Sequence, residues 1–192
     1  GTRNLIDWMT VCPPQKFIFT SSTSVYGQVD GSHVNEDSPA KPAGDTGRNL
    51  VEAEKMICEA NGIVLRVSGI YGPQRGFLYR QFLQNEAVIE NKGERWLNML
   101  HRDDVVGAIV TALEQAPAGE VFNATDNEPV TEFKFFEWLA KKLGRPLPPF
   151  GEKPSQRKRA RTSKRVENKR LKALGWQLHY PTFREGYSVL IA

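Results

Sequence analysis

Cysteine is scarce in this chain. Two are present, Cys12 and Cys58, set far apart and without CxxC or metal-ligand spacing, which excludes a disulfide scaffold and points to reduced thiols in a cytoplasmic protein. Long apolar runs are also missing. Runs such as Phe17-Ile18-Phe19 and Ile63-Val64-Leu65 fall far short of the roughly 20 residues needed to cross a bilayer, so neither a membrane span nor a secretory leader is expected. The three histidines, His33, His101 and His179, are scattered without a partner at metal spacing, and no metal site is expected. Internal repeats and low-complexity tracts are absent.

What is present suits a folded core. The 192 residues (21.7 kDa) are 40% hydrophobic, 25% charged and 10% aromatic, far from the disordered and collagen-like extremes. The length fits one domain of ordinary size, or one with a small appendage. The net charge of +4 is unevenly spread. Lys153 to Lys172 holds ten Lys or Arg and the single acid Glu167, a local +9 that leaves −5 on the rest of the chain. The basic pI is therefore local, and whole-protein attraction to nucleic acid does not follow from it.

Along the chain, helices and short buried runs alternate. Leu5, Ile6, Trp8 and Met9 give the first ten residues a helical face, and Pro13-Pro14 ends it. Lys16 to Thr20 reads as a buried parallel strand running into Ser21-Ser22. Residues 27 to 45, rich in Gly, Pro, Asp and Ser, read as a long surface loop. Arg48 to Ala60 reads as a helix stopped by Asn61-Gly62, and Gly62 to Val67 as a second buried strand, completing a βαβ unit with parallel strands. Asp103 to Leu113 is expected as a helix with Val105, Val106, Ile109, Val110 and Leu113 inward, and with one of Asp103 and Asp104 as its cap. Glu120 to Ala124 is a third strand and Thr131 to Leu143 an amphipathic helix whose Phe133, Phe136, Trp138 and Leu139 are core. A Pro-rich linker, Arg145 to Pro154, precedes the basic stretch and a last helix near Val166 to Leu174.

Phe17-Ile18-Phe19-Thr20-Ser21-Ser22-Thr23-Ser24-Val25-Tyr26-Gly27 resembles the strand and loop of the extended short-chain dehydrogenases/reductases, the NAD-dependent epimerase/dehydratase family. Further segments agree in order and spacing: Gly1 to Leu5, Leu65-Arg66-Val67-Ser68-Gly69-Ile70-Tyr71-Gly72-Pro73, His101-Arg102-Asp103-Asp104-Val105-Val106, and Val121-Phe122-Asn123-Ala124. The resemblance implies an α/β fold, the C-terminal part of a doubly wound parallel-sheet (Rossmann-like) domain with a smaller substrate-side lobe. Residues 1–68 and 101–125 would form the Rossmann-like portion, and 69–100 with 126–192 the lobe. It further implies a small-molecule substrate, a homodimer built on the helix pair that includes residues 46 to 60, and NAD or NADP as cofactor. The nicotinamide end would lie against Ser21, Ser22, Val67, Ser68, Gly69 and Ile70.

Three departures from the family pattern carry information. The glycine-rich Gly-x-x-Gly-x-x-Gly, which lets backbone approach a pyrophosphate, is nowhere in the sequence, and at roughly 30 residues per βα unit about 100 residues are expected before Gly1. The residue that separates NAD from NADP follows a strand that is not in this sequence. The family's Tyr-x-x-x-Lys pair, in which Lys lowers the Tyr pKa for proton exchange, has its place taken by Thr46-Gly47-Arg48-Asn49-Leu50. Ser22 matches the family's catalytic Ser/Thr and Thr46 stands where its Tyr would, which makes these two the candidate catalytic positions. The alcohol of Thr46 is too weakly acidic to act as base, and none of the five tyrosines has Lys four residues on. Finally, Leu97 stands where sugar-nucleotide epimerases tend to place an Arg, with Arg95 two residues earlier.

The C-terminal segment, from Ser163 to Trp176 and from Tyr180 to Tyr187, resembles an atypical subgroup that keeps the nucleotide fold while lacking the usual active-site residues. The expected function is thus an NAD(P)-binding atypical short-chain dehydrogenase/reductase. The alternative is a non-catalytic nucleotide-binding or sensor protein. The basic stretch is read as a solvated face from which Lys164, Arg165 or Lys169 could hold an anionic substrate. A nucleic-acid contact is not expected, because interleaved aromatics are lacking.

Overall fold

The computed structural model describes residues 1–151 and 162–191. In chain order the elements are α1 (Thr2–Val11), β1 (Ile18–Ser22), β2 (His33–Val34), α2 (Asp45–Glu59), β3 (Ile63–Val67), β4 (Gly69–Tyr71), α3 (Phe77–Leu83), β5 (Trp96–Leu97) and β6 (Met99–His101). They continue with α4 (Arg102–Gln115), β7 (Val121–Ala124), β8 (Val130–Thr131), α5 (Glu132–Leu143), β9 (Arg165–Val166), α6 (Lys169–Ala173) and α7 (Phe183–Ile191). The main sheet has the order β1-β3-β7 with both pairings parallel, Ser22 opposite Val67 and Val67 opposite Ala124. The fold is α/β, and β1-α2-β3 is the βαβ unit expected from the sequence.

Every residue of the central strand β3 is buried, as a strand covered on both faces must be. Arg66 reaches Glu54 of α2, while its neighbour Leu65 clusters with Ala108 and Ala112 of α4. Successive side chains of a strand point to opposite faces, so α2 and α4 cover opposite sides of the sheet. The turn from α2 into β3 needs its glycine for space: a Cβ on Gly62 would sit 2.3 Å from the ring of Phe17. A second cluster joins α5, α7 and β6 through Tyr71, Met99, Phe135, Phe136, Leu139, Phe183 and Tyr187. Gly144 ends α5 in the left-handed conformation (φ 61°), where a side chain would be strained.

Four expectations are corrected. In α4 the buried stripe runs through Asp104, Ala108 and Ala112 with Val105 and Ile109 beside it, whereas Val106, Val110 and Leu113 are exposed. The helix carries apolar residues on two faces, and the small alanines define the one that approaches the sheet. Its cap is neither aspartate but His101, whose Nδ1 accepts the Asp103 N–H at 3.2 Å. The segment 27–45 is not all loop, since β2 pairs in parallel with β9. The helix expected near Val166 to Leu174 is confined to α6, with Val166 in β9, and it is not the last: α7 follows, where Phe183, Tyr187 and Leu190 at positions i, i+4 and i+7 carry a helical stripe that packs on the second cluster.

Among the described residues no helix is long and apolar enough to cross a membrane, and no group of His, Cys, Asp or Glu could hold a metal ion.

Candidate functional site at the strand ends

A cavity of about 380 Å³ opens at the C-terminal ends of β1 and β3, the place where open parallel sheets bind ligands. Hydroxyls reach it from Ser22, Thr23, Ser24, Ser68 and Thr162, and cations from Arg75, Arg80, Arg95 and Lys164. Apolar walls come from Ile70, Phe77, Leu78, Leu97 and Met99, and aromatic ones from Tyr71, Trp96 and Tyr187. No carboxylate lines it among the described residues.

Strand alternation separates the two adjacent serines. Ser21 is buried and donates to Glu54 Oε1 at 2.5 Å, away from the cavity. Ser22 lines the cavity, and its Oγ accepts the Ser24 N–H at 3.2 Å. That bond caps a short turn, Thr23–Val25, and leaves the Ser22 hydroxyl proton to donate elsewhere. After β3, Ser68, Gly69 and Ile70 all line the cavity. The Ser68 Oγ is buried with no hydrogen-bond partner. Val67 instead joins the core beneath α4. Thr46 lies exposed in the first turn of α2 and is not part of the cavity wall. The helix starts at Asp45, three residues earlier than the sequence suggested, and turns that side chain to the surface. A catalytic part for Thr46 finds no support in this placement.

The second side of the cavity is built from β4, β5, β6 and the segment before β9. Leu97 is buried in the wall, and Arg95 reaches the cavity with its Nη2 2.9 Å from Glu132 Oε1. Of the three cations singled out for an anion, only Lys164 lines the cavity. Arg165 lies over Trp96 (4.9 Å to the ring centroid) and donates to Gly31 O, and Lys169 is exposed and paired with Glu167. Arg170 bonds Asp37, and Lys172 bonds Asn127. The described half of the basic stretch is thus largely engaged inside the molecule. Lys153, Arg157, Lys158, Arg159 and Arg161 lie outside the described residues.

Lys164 alternates with Val166 and Asn168 as the inward residues of its segment. Asn98 clamps that segment as a strand neighbour would, its Nδ2 donating to Lys164 O at 2.9 Å and its Oδ1 accepting from Val166 N at 2.8 Å. The Lys164 Nζ donates to Thr162 Oγ1 at 2.9 Å, and burial lowers the amine pKa to about 8. Burial acts the opposite way on the two tyrosines of the wall, Tyr71 and Tyr187, raising both phenols well above their ordinary value. Their rings stack at 4.3 Å. Trp96 lines the cavity, while Trp176 packs in the core with Ala108 and Leu171.

Tyr71, Asn98, Arg75 and Arg80 were not singled out for the site in the sequence. Arg75 follows the Tyr71-Gly72-Pro73 turn by two residues, which was the available signal. Asn98 carried none, because its partners lie 66 and 68 residues away.

The NAD dependent epimerase/dehydratase family model matches residues 1–125. Protein YeeZ of Escherichia coli (strain K12) is 31% identical over 185 residues, covering 94% of this chain, and this chain spans 64% of the length of YeeZ. The 3-diazoavenalumate denitrifying reductase of a Streptomyces species is 29% identical over 208 residues, with 97% of this chain and 68% of the reductase covered. A functionally unknown conserved protein from Silicibacter pomeroyi DSS superposes with a TM-score of 0.85 at 30% identity, over 98% of this chain and 70% of that one. The parallel β1-β3-β7 sheet, the serine-lined strand ends and the match across both belong together: this chain is a member of the NAD dependent epimerase/dehydratase family.

Proposed function

We propose that this protein is an NAD(P)-dependent oxidoreductase of the atypical short-chain type, acting on a small anionic molecule without Tyr-Lys proton chemistry. The observation that carries this reading is the cavity at the strand ends, where an unpartnered buried Ser68 hydroxyl and the free donor of Ser22 share a wall with four cations and, among the described residues, no carboxylate.

The residues present suit a nicotinamide. Its carboxamide offers an acceptor oxygen and an N–H donor to hydroxyls such as Ser68 Oγ and Ser22 Oγ, and a Cβ on Gly69 would lie 3.0 Å from Asn98 O, so the backbone there is already closely packed. Ser22, Ser68, Gly69 and Ile70 are the residues that would hold it. When bound, the cofactor supplies hydride chemistry. Arg75 and Arg80 supply the charge that draws and orients an anion in the cavity, while Arg95 is paired with Glu132. Trp96, Leu97 and Met99 exclude water around the neutral part of the substrate.

The test is a titration of the protein, expressed from its full reading frame, with NADH and NADPH by fluorescence, followed by turnover of carbonyl compounds with and without a carboxylate or phosphate. Binding together with a clear preference for the anionic members is expected. Absence of binding to both nucleotides would sink the reading. Thr46 and Leu50 at the Tyr and Lys positions favour a second reading, a nucleotide sensor that performs no chemistry. Turnover abolished by Ser22→Ala while nucleotide binding persists would exclude the sensor.

A further inference from the structure

We propose that Lys164 is the catalytic proton-transfer group of this cavity, doing from the segment before β9 what the missing Tyr-Lys pair would do from α2. The inference rests on the oxidoreductase reading above and names the group that reading leaves unassigned. Reduction of a carbonyl needs a proton at oxygen as well as a hydride at carbon, so the wall must contain a donor able to lose its proton near neutrality.

The cavity limits the choice. Arginines 75, 80 and 95 hold their protons throughout the accessible pH range. Ser22 has neither a carboxylate nor a histidine as base among the described residues of the wall. Tyr71 and Tyr187 are held protonated by burial. Lys164 is 4% exposed, lines the same cavity as Ser22, and its Nζ bonds a neutral hydroxyl, Thr162, rather than a carboxylate. An amine in that setting has protons to give and no anion to keep them. Asn98 holds the segment at Lys164 O and Val166 N, so the amine is carried on a strand-like arm.

In the reducing direction the Nζ–H bond of the ammonium breaks and an O–H bond forms at the substrate oxygen, which takes up the π electron pair of the carbonyl as a dihydronicotinamide delivers hydride to carbon. The carbonyl is reduced, the nicotinamide is oxidised, and the neutral amine is reprotonated from solvent. In the oxidising direction the neutral amine accepts the alcohol proton.

The test combines a direct titration with a pair of variants. Pulse acetylation with acetic anhydride across pH 6 to 10, read by peptide mass spectrometry, reports the midpoint of each lysine; Lys164 is expected near 8, against about 10.4 for a free lysine side chain in water. A Lys164 midpoint at the free-lysine value of about 10.4 would overturn the proposal. NADPH oxidation with 9,10-phenanthrenequinone then compares Lys164→Met, which fills the same volume, with Lys164→Arg, which keeps the charge but cannot release a proton. Both should lose about 100-fold or more in kcat while NADPH binding by fluorescence is unchanged. Turnover within threefold of wild type in Lys164→Arg would make Lys164 an anion holder only and overturn the proton role. Wild-type protein that binds neither nucleotide defeats the oxidoreductase reading instead, and the acetylation midpoint still judges Lys164.

Discussion

Arg66 and Glu54 close a buried ion pair between β3 and α2. The guanidinium Nε lies 3.1 Å from both carboxylate oxygens and Nη2 2.7 Å from Oε2, while Nη1 donates to Tyr26 Oη, which donates on to Asn123 Oδ1. Glu54 also accepts from Ser21. The pair therefore ties the helix of the βαβ unit to all three strands of the sheet, directly beneath the strand ends where Ser22 and Ser68 meet the cavity.

Removing one partner should be costly. Glu54→Ala strands a buried guanidinium, and such a loss typically costs about 3–5 kcal/mol. The double variant Glu54→Leu/Arg66→Met removes both charges and should recover most of that loss. Urea unfolding midpoints of the single and double variants check this; a single variant within about 1 kcal/mol of wild type would contradict the buried pair.

Asp104 anchors the segment that leads into α7. Its carboxylate is buried and accepts the His179 N–H at 2.5 Å and the Tyr180 N–H at 3.1 Å. Hydrogen bonds to a charged acceptor contribute about 1.5–3 kcal/mol each, so Asp104→Ala, which removes two, should lower stability by about 3–6 kcal/mol. Hydrogen exchange at the His179 and Tyr180 amides should accelerate more than at the amides of β3.

His101 should make stability fall in mild acid. Burial lowers its pKa below the ordinary 6.5, and its Nδ1 must stay unprotonated to accept the Asp103 N–H. The unfolded chain then binds more protons than the folded one as pH drops through about 6.5 and below, so this contribution is present above that value and is lost beneath it. His101→Asn keeps a capping acceptor and removes the titration. Thermal unfolding from pH 7.5 to 5.5 should show the gap between wild type and variant shifting against wild type as pH falls; a constant gap would rule the contribution out.

Asn98 holds the backbone segment that carries Lys164. Asn98→Leu keeps its bulk and deletes both clamp bonds, at a cost of about 1–3 kcal/mol for the stranded backbone groups. Loosening the arm admits water to Nζ, so the acetylation midpoint of Lys164 should rise from near 8 toward the free-lysine value of about 10.4. A midpoint that stays in place would show that the clamp does not set the environment of the amine.

The amino-acid sequence by itself determined the local pieces. Apolar runs and their polar borders defined β1, β3 and β7, the 3.6-residue stripe of α5 and its Gly144 stop were plain, and the quoted motifs brought Ser22, Ser68, Gly69 and Ile70 to one end of the sheet. These features depend on neighbours a few residues apart, which is the range over which periodicity and turn chemistry act. Tertiary structure decided everything that depends on distant partners. Ser21 turns to Glu54, 33 residues on, while Ser22 faces the cavity. α4 buries its alanines and leaves Val106, Val110 and Leu113 outside because of what packs on it. Thr46, legible as a site position, is carried to the surface by a helix that starts early, and Lys164, one of three equivalent-looking cations, is selected by strand alternation and the Asn98 clamp. A side chain's chemistry is written in its residue type, but its protonation and its partners are set by burial, and burial is a property of the folded whole.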